Sequence, residues 1–155
     1  MSLRKEVQAA VESGMQGNFE AIEDMVSQEP RSIRYLLGMT YHSDEDKRRT
    51  AGKAIAIASQ YHPKMVKAVV RRLIWAMNEE SGTNALTAPE VLIEIARVRP
   101  EILLPAVPDL TRLATDEGLH DGLASALTLV SEACPGEVGS SLSASLNKRL
   151  RKRRR

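Results

Sequence analysis

Residues 21–30 (AIEDMVSQEP), 54–63 (AIAIASQYHP), 91–100 (VLIEIARVRP) and 126–135 (ALTLVSEACP) each run into a proline, and those prolines stand 33, 37 and 35 residues apart. Eight positions before each proline come Ile22, Ile55, Leu92 and Leu127; five before come Met25, Ala58, Ile95 and Val130; nine before come Ala21, Ala54, Val91 and Ala126. Offsets of five, eight and nine lie on one face of a helix, at the i, i+3, i+4 spacing. Each segment therefore reads as a helix with one buried stripe, stopped where proline disfavours the helical conformation of the residue before it.

Proline also suits the first turn of a helix, where its missing N–H costs nothing. A second periodic run follows each of the first three: Ile33, Leu36, Leu37; then Val66, Val70, Leu73, Met77; then Leu103, Val107, Leu110, with Leu113 or Ala114. The unit is a helix pair of about 35 residues, which cannot bury its apolar face alone and must stack on its neighbours. The pattern predicts helices near 2–13, 18–28, 31–41, 44–61, 64–78, 87–98, 101–115, 119–133 and 138–153. Ser43-Asp44-Glu45-Asp46 and Thr87-Ala88-Pro89-Glu90 read as capping boxes with Ser43 and Thr87 as N-caps. Gly14, Gly17, Gly82 and Gly118 read as turn residues between helices.

Composition agrees. Of 155 residues 43% are hydrophobic but only 3% aromatic, which suits an all-α domain and not a β-sandwich. No apolar run approaches the roughly 18 residues that span a bilayer, and the first residues lack a signal-peptide layout. The single Cys134 leaves no internal disulfide, so a reducing cytoplasm is the expected location. Residues 1–147 form one domain with a net charge of −5, and the basic tail 148–155 (KRLRKRRR) carries seven cations.

The stretch from Asp44 to Ile55 resembles the second helix of a HEAT repeat, a member of the armadillo-like α-solenoids, through Asp44, Arg48, Ala51, Ala54 and Ile55. Lys47 and Gly52 depart from that family's pattern. Residues 116–127 match again through Asp116, Leu119, Leu123, Ala124, Ala126 and Leu127, with His120 in place of the arginine. The third unit keeps Ala88, Val91 and Leu92 without the charges. The resemblance implies a short right-handed superhelix of about four helix pairs plus a C-terminal capping helix. HEAT-like arrays include scaffolds, phycobilisome-lyase-like proteins and some nucleic-acid-binding proteins, so the fold alone does not assign an activity.

Two surfaces are candidates for protein binding. On the helix near 64–78, Trp75 points away from the buried stripe beside Arg71, Arg72 and, just beyond, Glu79. Arg71 stands one turn before the indole, within reach of a cation–π contact. The alternative is that Trp75 fills a groove against another unit while the arginines pair with Glu79 and Glu80. The second surface lies opposite the buried stripes of the pre-proline helices, which in the family line the concave side. It presents Glu20, Glu23 and Ser27; Arg49, Lys53 and Gln60; Glu90, Glu94 and Arg97; then Asp121, Ser125 and Glu132. Apart from the second unit it is acidic and would attract a basic peptide, including the tail of this chain or of a second copy.

The tail offers a third reading. Lys148, Arg149, Arg151, Lys152, Arg153, Arg154 and Arg155 can neutralise phosphates without sequence preference, although no interleaved aromatic is present for base stacking. A solvated terminus is the alternative, and Leu142, Leu146 and Leu150 at every fourth position extend a final helix toward it. His42, His62 and His120 lack metal-ligand spacing, and Glu79-Glu80 lacks the spaced pattern of a calcium loop. No nucleophile elbow or phosphate loop occurs. A non-enzymatic protein-interaction module or scaffold, with no metal or cofactor, is expected; nucleic-acid association through the tail is the alternative, and a lyase-like enzyme ranks last.

Overall fold

A computed structural model describes residues 2–79 and 83–139. These residues form helices and no strands: α1 (Leu3–Met15), α2 (Glu20–Gln28), α3 (Ser32–Met39), α4 (Glu45–Ala58), α5 (Pro63–Glu79) and α6 (Thr83–Val98). A 3₁₀ segment (Pro100–Ala106) then leads into α7 (Val107–Leu113) and α8 (Glu117–Ala133). The expected final helix at 138–153, Leu142, Leu146, Leu150 and the whole tail 148–155 lie outside the described residues, apart from Val138 and Gly139. So do Glu80 and Gly82.

Pro30, Pro63 and Pro100 each fall between consecutive helices or at the first residue of the next one, and Pro135 follows the end of α8. The pre-proline helices stand in a row, α2 against α4, α4 against α6 and α6 against α8. Each also packs on the helix before it: α1 on α2, α3 on α4, α5 on α6, α7 on α8. Between them lies one continuous core that includes Val11, Ile22, Leu36, Ile55, Leu73, Leu92, Ile95, Leu103, Leu110 and Leu123. The stripe positions are buried as the periodicity requires, except that Ala21, Met25 and Leu127 remain half-buried. Every buried side-chain polar atom among the described residues is hydrogen-bonded. Ser32 and Thr40, for example, donate to the carbonyls of Glu29 and Leu37, so burying them leaves no orphaned group.

The capping signal before α4 and the turn glycine Gly17 show how local chemistry shapes the helix ends. The N-cap of α4 is Asp44 rather than Ser43; its Oδ1 accepts from the amides of Asp46 and Lys47 at 2.9 and 3.2 Å. Gly17 adopts φ +93° in the α1–α2 turn, where a side chain would be strained.

Three further expectations are corrected. Thr87 is not an N-cap: α6 begins at Thr83, and Pro89 sits inside the helix, because burial of Ala85 and Ala88 carries the helix back past the capping signal. The helix expected over 101–115 is split, since Pro105 and Pro108 lack the N–H donors an uninterrupted α-helix needs. Gly14 and Gly118 lie within helices rather than in turns.

Gly14 and a further glycine, Gly122, are sites of close helix approach. A Cβ on Gly14 would come within 2.7 Å of Ile22 Cδ1 and 2.8 Å of Thr50 Cγ2, where α1 meets α2 and α4. A Cβ on Gly122 would come within 2.5 Å of the Pro89 ring, where α8 meets α6. The Pro89 ring cannot rotate away, so backbones must separate. Gly122→Ala is expected to lower stability by about 1–3 kcal/mol in chemical denaturation, although alanine is the better helix former. Unchanged or raised stability would refute the close approach.

Arg99 fastens the turn between the third pair and the 3₁₀ segment. Its Nη1 donates to the Ser59 carbonyl at 3.3 Å and its Nε to Glu101 Oε1 at 2.7 Å. The hydrogen bond from Arg99 holds the Glu101 carboxyl below its ordinary value of 4.5. A carboxylate favoured in the folded state contributes stability above the unfolded pKa, and that contribution disappears as pH falls through the lowered folded value. The thermal midpoint is therefore expected to drop more steeply below about pH 4.5 in the wild type than in Glu101→Gln. Parallel curves would remove this pair from the acid response.

Candidate functional site

Helix α5 has two distinct faces. Val66, Val69, Val70, Leu73, Ala76 and Met77 are buried. Lys64, Met65, Lys67, Ala68, Arg71, Arg72 and Trp75 are exposed. The start of α5 is anchored across the fold: His62 Nε2 lies 2.7 Å from the Val26 carbonyl, and the His62 carbonyl accepts from the Val66 amide at 3.1 Å. Near its other end, Asn78 Nδ2 donates to the Ile74 carbonyl, and Arg112 Nη1 donates to Asn78 Oδ1 at 3.1 Å. The exposed face is thus held on a helix fixed at both ends.

Trp75 is 53% exposed, more than a packed interhelical side chain would be. Arg71 does not cap the indole; the cation–π contact among the described residues is Lys53 Nζ over the Phe19 ring, at 5.8 Å. Neither Arg71 nor Arg72 pairs with Glu79, and Lys64 and Lys67 likewise have no ion-pair partner among the described residues. From Lys64 to Trp75 the sequence holds four cations and no carboxylate.

Beside these cations, between α3 and α5, lies a groove of about 550 Å³. Ile33, Leu37, Met65 and Val69 make it apolar, and Arg34 and Arg72 stand on its lining without a carboxylate. A Cβ on Gly38 would meet nothing within 4 Å, so the glycine leaves this side open. The arrangement joins an indole, an apolar groove and positive charge that has no ion-pair partner among the described residues.

The second expected surface is more mixed than its residue types imply. Glu90 accepts from Arg48 Nε at 2.8 Å and from its Nη2 at 3.3 Å, linking α4 to α6 across 42 positions of sequence. Hydrogen bonding to Glu90 raises the Arg48 pKa further above its ordinary value. Glu94 pairs with Arg97 at 2.9 Å, and Arg49 with Glu45 at 2.8 Å. A cavity of about 310 Å³ between α4 and α6 is lined by Arg48, Arg49, Lys53 and Arg97 against Glu90 and Glu94, so the middle of the row is net positive. Acidic character remains at its ends, where α2 and α8 each carry a net charge of −3. The structure therefore separates Glu90 and Glu94 from Arg71, Arg72, Trp75 and Glu79, which share α5. Lys148, Arg149, Arg151, Lys152, Arg153, Arg154 and Arg155 lie outside the described residues.

The histidines serve the backbone. The amide of Asp44 donates to His42 Nδ1 at 2.9 Å, and His120 Nδ1 lies 2.8 Å from the Ala114 carbonyl. The Cys134 thiol is pushed up in pKa, first by burial and then by the Glu137 carboxylate, which disfavours the nucleophilic thiolate. Among the described residues no group of three or more His, Cys, Asp or Glu side chains is placed to hold a metal ion, and no helix is long and apolar enough to cross a membrane.

Sequence reasoning passed over Lys64, Lys67 and Arg34. The signal was present: no Asp or Glu occurs between Asp46 and Glu79. No family model matches the chain, and neither the curated proteins nor the solved structures contain a match.

The exposed indole among cations makes a direct prediction. Trp75 is the one tryptophan, and iodide should quench its emission more strongly than caesium at equal concentration, with the difference shrinking as salt screens the charges. Equal, weak quenching by both ions would place the indole inside the fold.

Proposed function

We propose that this chain is a non-catalytic protein-interaction module of HEAT-like build, which docks an acidic protein surface on the exposed face of α5. The observation that carries the reading is Trp75, 53% exposed on a rigid helix whose cations have no carboxylate partner among the described residues. Tryptophan and arginine are the residue types that concentrate binding energy at protein interfaces. An apolar groove with Arg34 and Arg72 at its edge adds the chemistry that accepts apolar side chains flanked by Asp or Glu.

The HEAT-like reading is supported by four consecutive helix pairs, by the row of pre-proline helices, and by Arg48 reaching Glu90 in the next pair. The acidic ends of that row at α2 and α8 suit basic partners. The lone Cys134, which leaves no internal disulfide, supports a cytoplasmic location. Four cations on α5 without an ion-pair partner among the described residues also favour a second reading, nucleic-acid association, in which α5 adds to the tail 148–155.

Trp75→Ala combined with Arg71→Glu and Arg72→Glu places all changes on exposed positions, so the fold is retained. An affinity purification with the wild type as bait should recover an acidic protein that this variant fails to recover. Recovery of the same protein by both would reject the α5 face. Retention of DNA or RNA that collapses between low and physiological salt, with no protein recovered, would favour the second reading.

A further inference from the structure

Helices α1 and α2 leave a second groove on the side that no described helix covers. It measures about 460 Å³ and is floored by Ala9, Ala10, Ala21 and Met25, with Glu6 and Asp24 on its edges. Glu29 also lines it, and that carboxylate is held by Arg31 at 3.0 Å. Glu6 and Asp24 have no ion-pair partner among the described residues, and no cationic side chain lines the groove. Its chemistry is therefore the reverse of the α5 face: apolar with unbalanced negative charge.

One segment of this chain has the complementary chemistry. Residues 140–155 carry Leu142, Leu146 and Leu150 at intervals of four, then seven cations from Lys148 onward and no acidic residue. Leucines at that interval share one face if the segment is helical, the form that a groove between two helices accepts. We propose that the groove between α1 and α2 takes residues 140–155 of a second copy of this chain, so that copies join head to tail.

Geometry argues against the same copy supplying the segment. The groove and α8 lie at opposite ends of the row, with α4 and α6 between. Three packed-helix steps of roughly 8–10 Å each separate α2 from α8. The nine residues from 140 to Lys148 span at most about 30 Å when fully extended. A segment stretched that far would bring its cations to the groove only by stringing its leucines along the way. A second copy delivers both together. The contact is heterologous, and repetition builds a ring or an open row of copies.

The test uses the intact chain. In low salt, sedimentation velocity is expected to show species larger than a monomer as concentration rises, and these should revert to monomer in high salt. A fluorescein-labelled synthetic peptide of residues 140–155 should bind the intact chain by anisotropy. Binding should weaken at least tenfold on the Glu6→Lys, Asp24→Lys double variant, whose exposed positions leave the helical circular dichroism unchanged. A second double variant, Glu117→Lys with Asp121→Lys on α8, should bind as the wild type does. Equal weakening in both variants would reduce the effect to net charge and overturn the groove. A chain that stays monomeric at every concentration in low salt, or a peptide of scrambled order that binds equally well, would overturn the proposal too.

Discussion

How closely successive pre-proline helices approach one another governs the rest of this molecule. Where α8 crosses α6, the Pro89 ring fills the space that a Cβ on Gly122 would take, and where α1 meets α2 and α4, Ile22 and Thr50 close on Gly14 in the same way. Between those points α4 offers Ala51, Gly52, Ala54 and Ala58, all buried. Small side chains bring helix axes together, and close axes let Arg48 on α4 reach Glu90 on α6 with two of its nitrogens. The pair is only partly buried, so its contribution is modest; its effect is to set which carboxylate faces which guanidinium when the helices are in register.

That register distributes charge in a way the net figure conceals. Residues 1–147 sum to −5, yet α5 carries +3 while α2 and α8 carry −3 each. Cations without an ion-pair partner among the described residues share α5 with an exposed indole, and carboxylates equally without one edge the groove between α1 and α2. A small protein built this way is polarised: the groove between α1 and α2 is edged by carboxylates, and the one between α3 and α5 by arginines. Lys53 shows how the middle of the row differs: its ammonium lies over Phe19 beside a groove where four cations meet two carboxylates.

Function is harder to read than fold for a physical reason. An interaction surface needs no strained backbone, no shifted acid and no buried unpaired group, and so it leaves few local marks. The histidines bond backbone carbonyls or amides, and the lone thiol is held protonated. What distinguishes α5 is that its cations form no ion pair among the described residues, a property of the neighbours as much as of the helix.

The proline-closed segments made the helix pairs legible in sequence because a buried stripe at 3.6-residue period and a missing N–H are local facts. They place the turns at Pro30, Pro63, Pro100 and Pro135 and the core at Ile22, Ile55, Leu92 and Val130. Pro105 and Pro108 were equally local signals for the split of the 101–115 helix. Other features belong to the tertiary structure alone. Burial of Ala85 and Ala88 let α6 start at Thr83 despite a strong capping pattern at Thr87, since packing across α6 outweighs one cap. Glu90 became the partner of Arg48, and Trp75 faced solvent, because both outcomes depend on which helices lie alongside. Periodicity determines which face of each helix turns inward; only the packed neighbours decide which outward charge finds a partner within the fold.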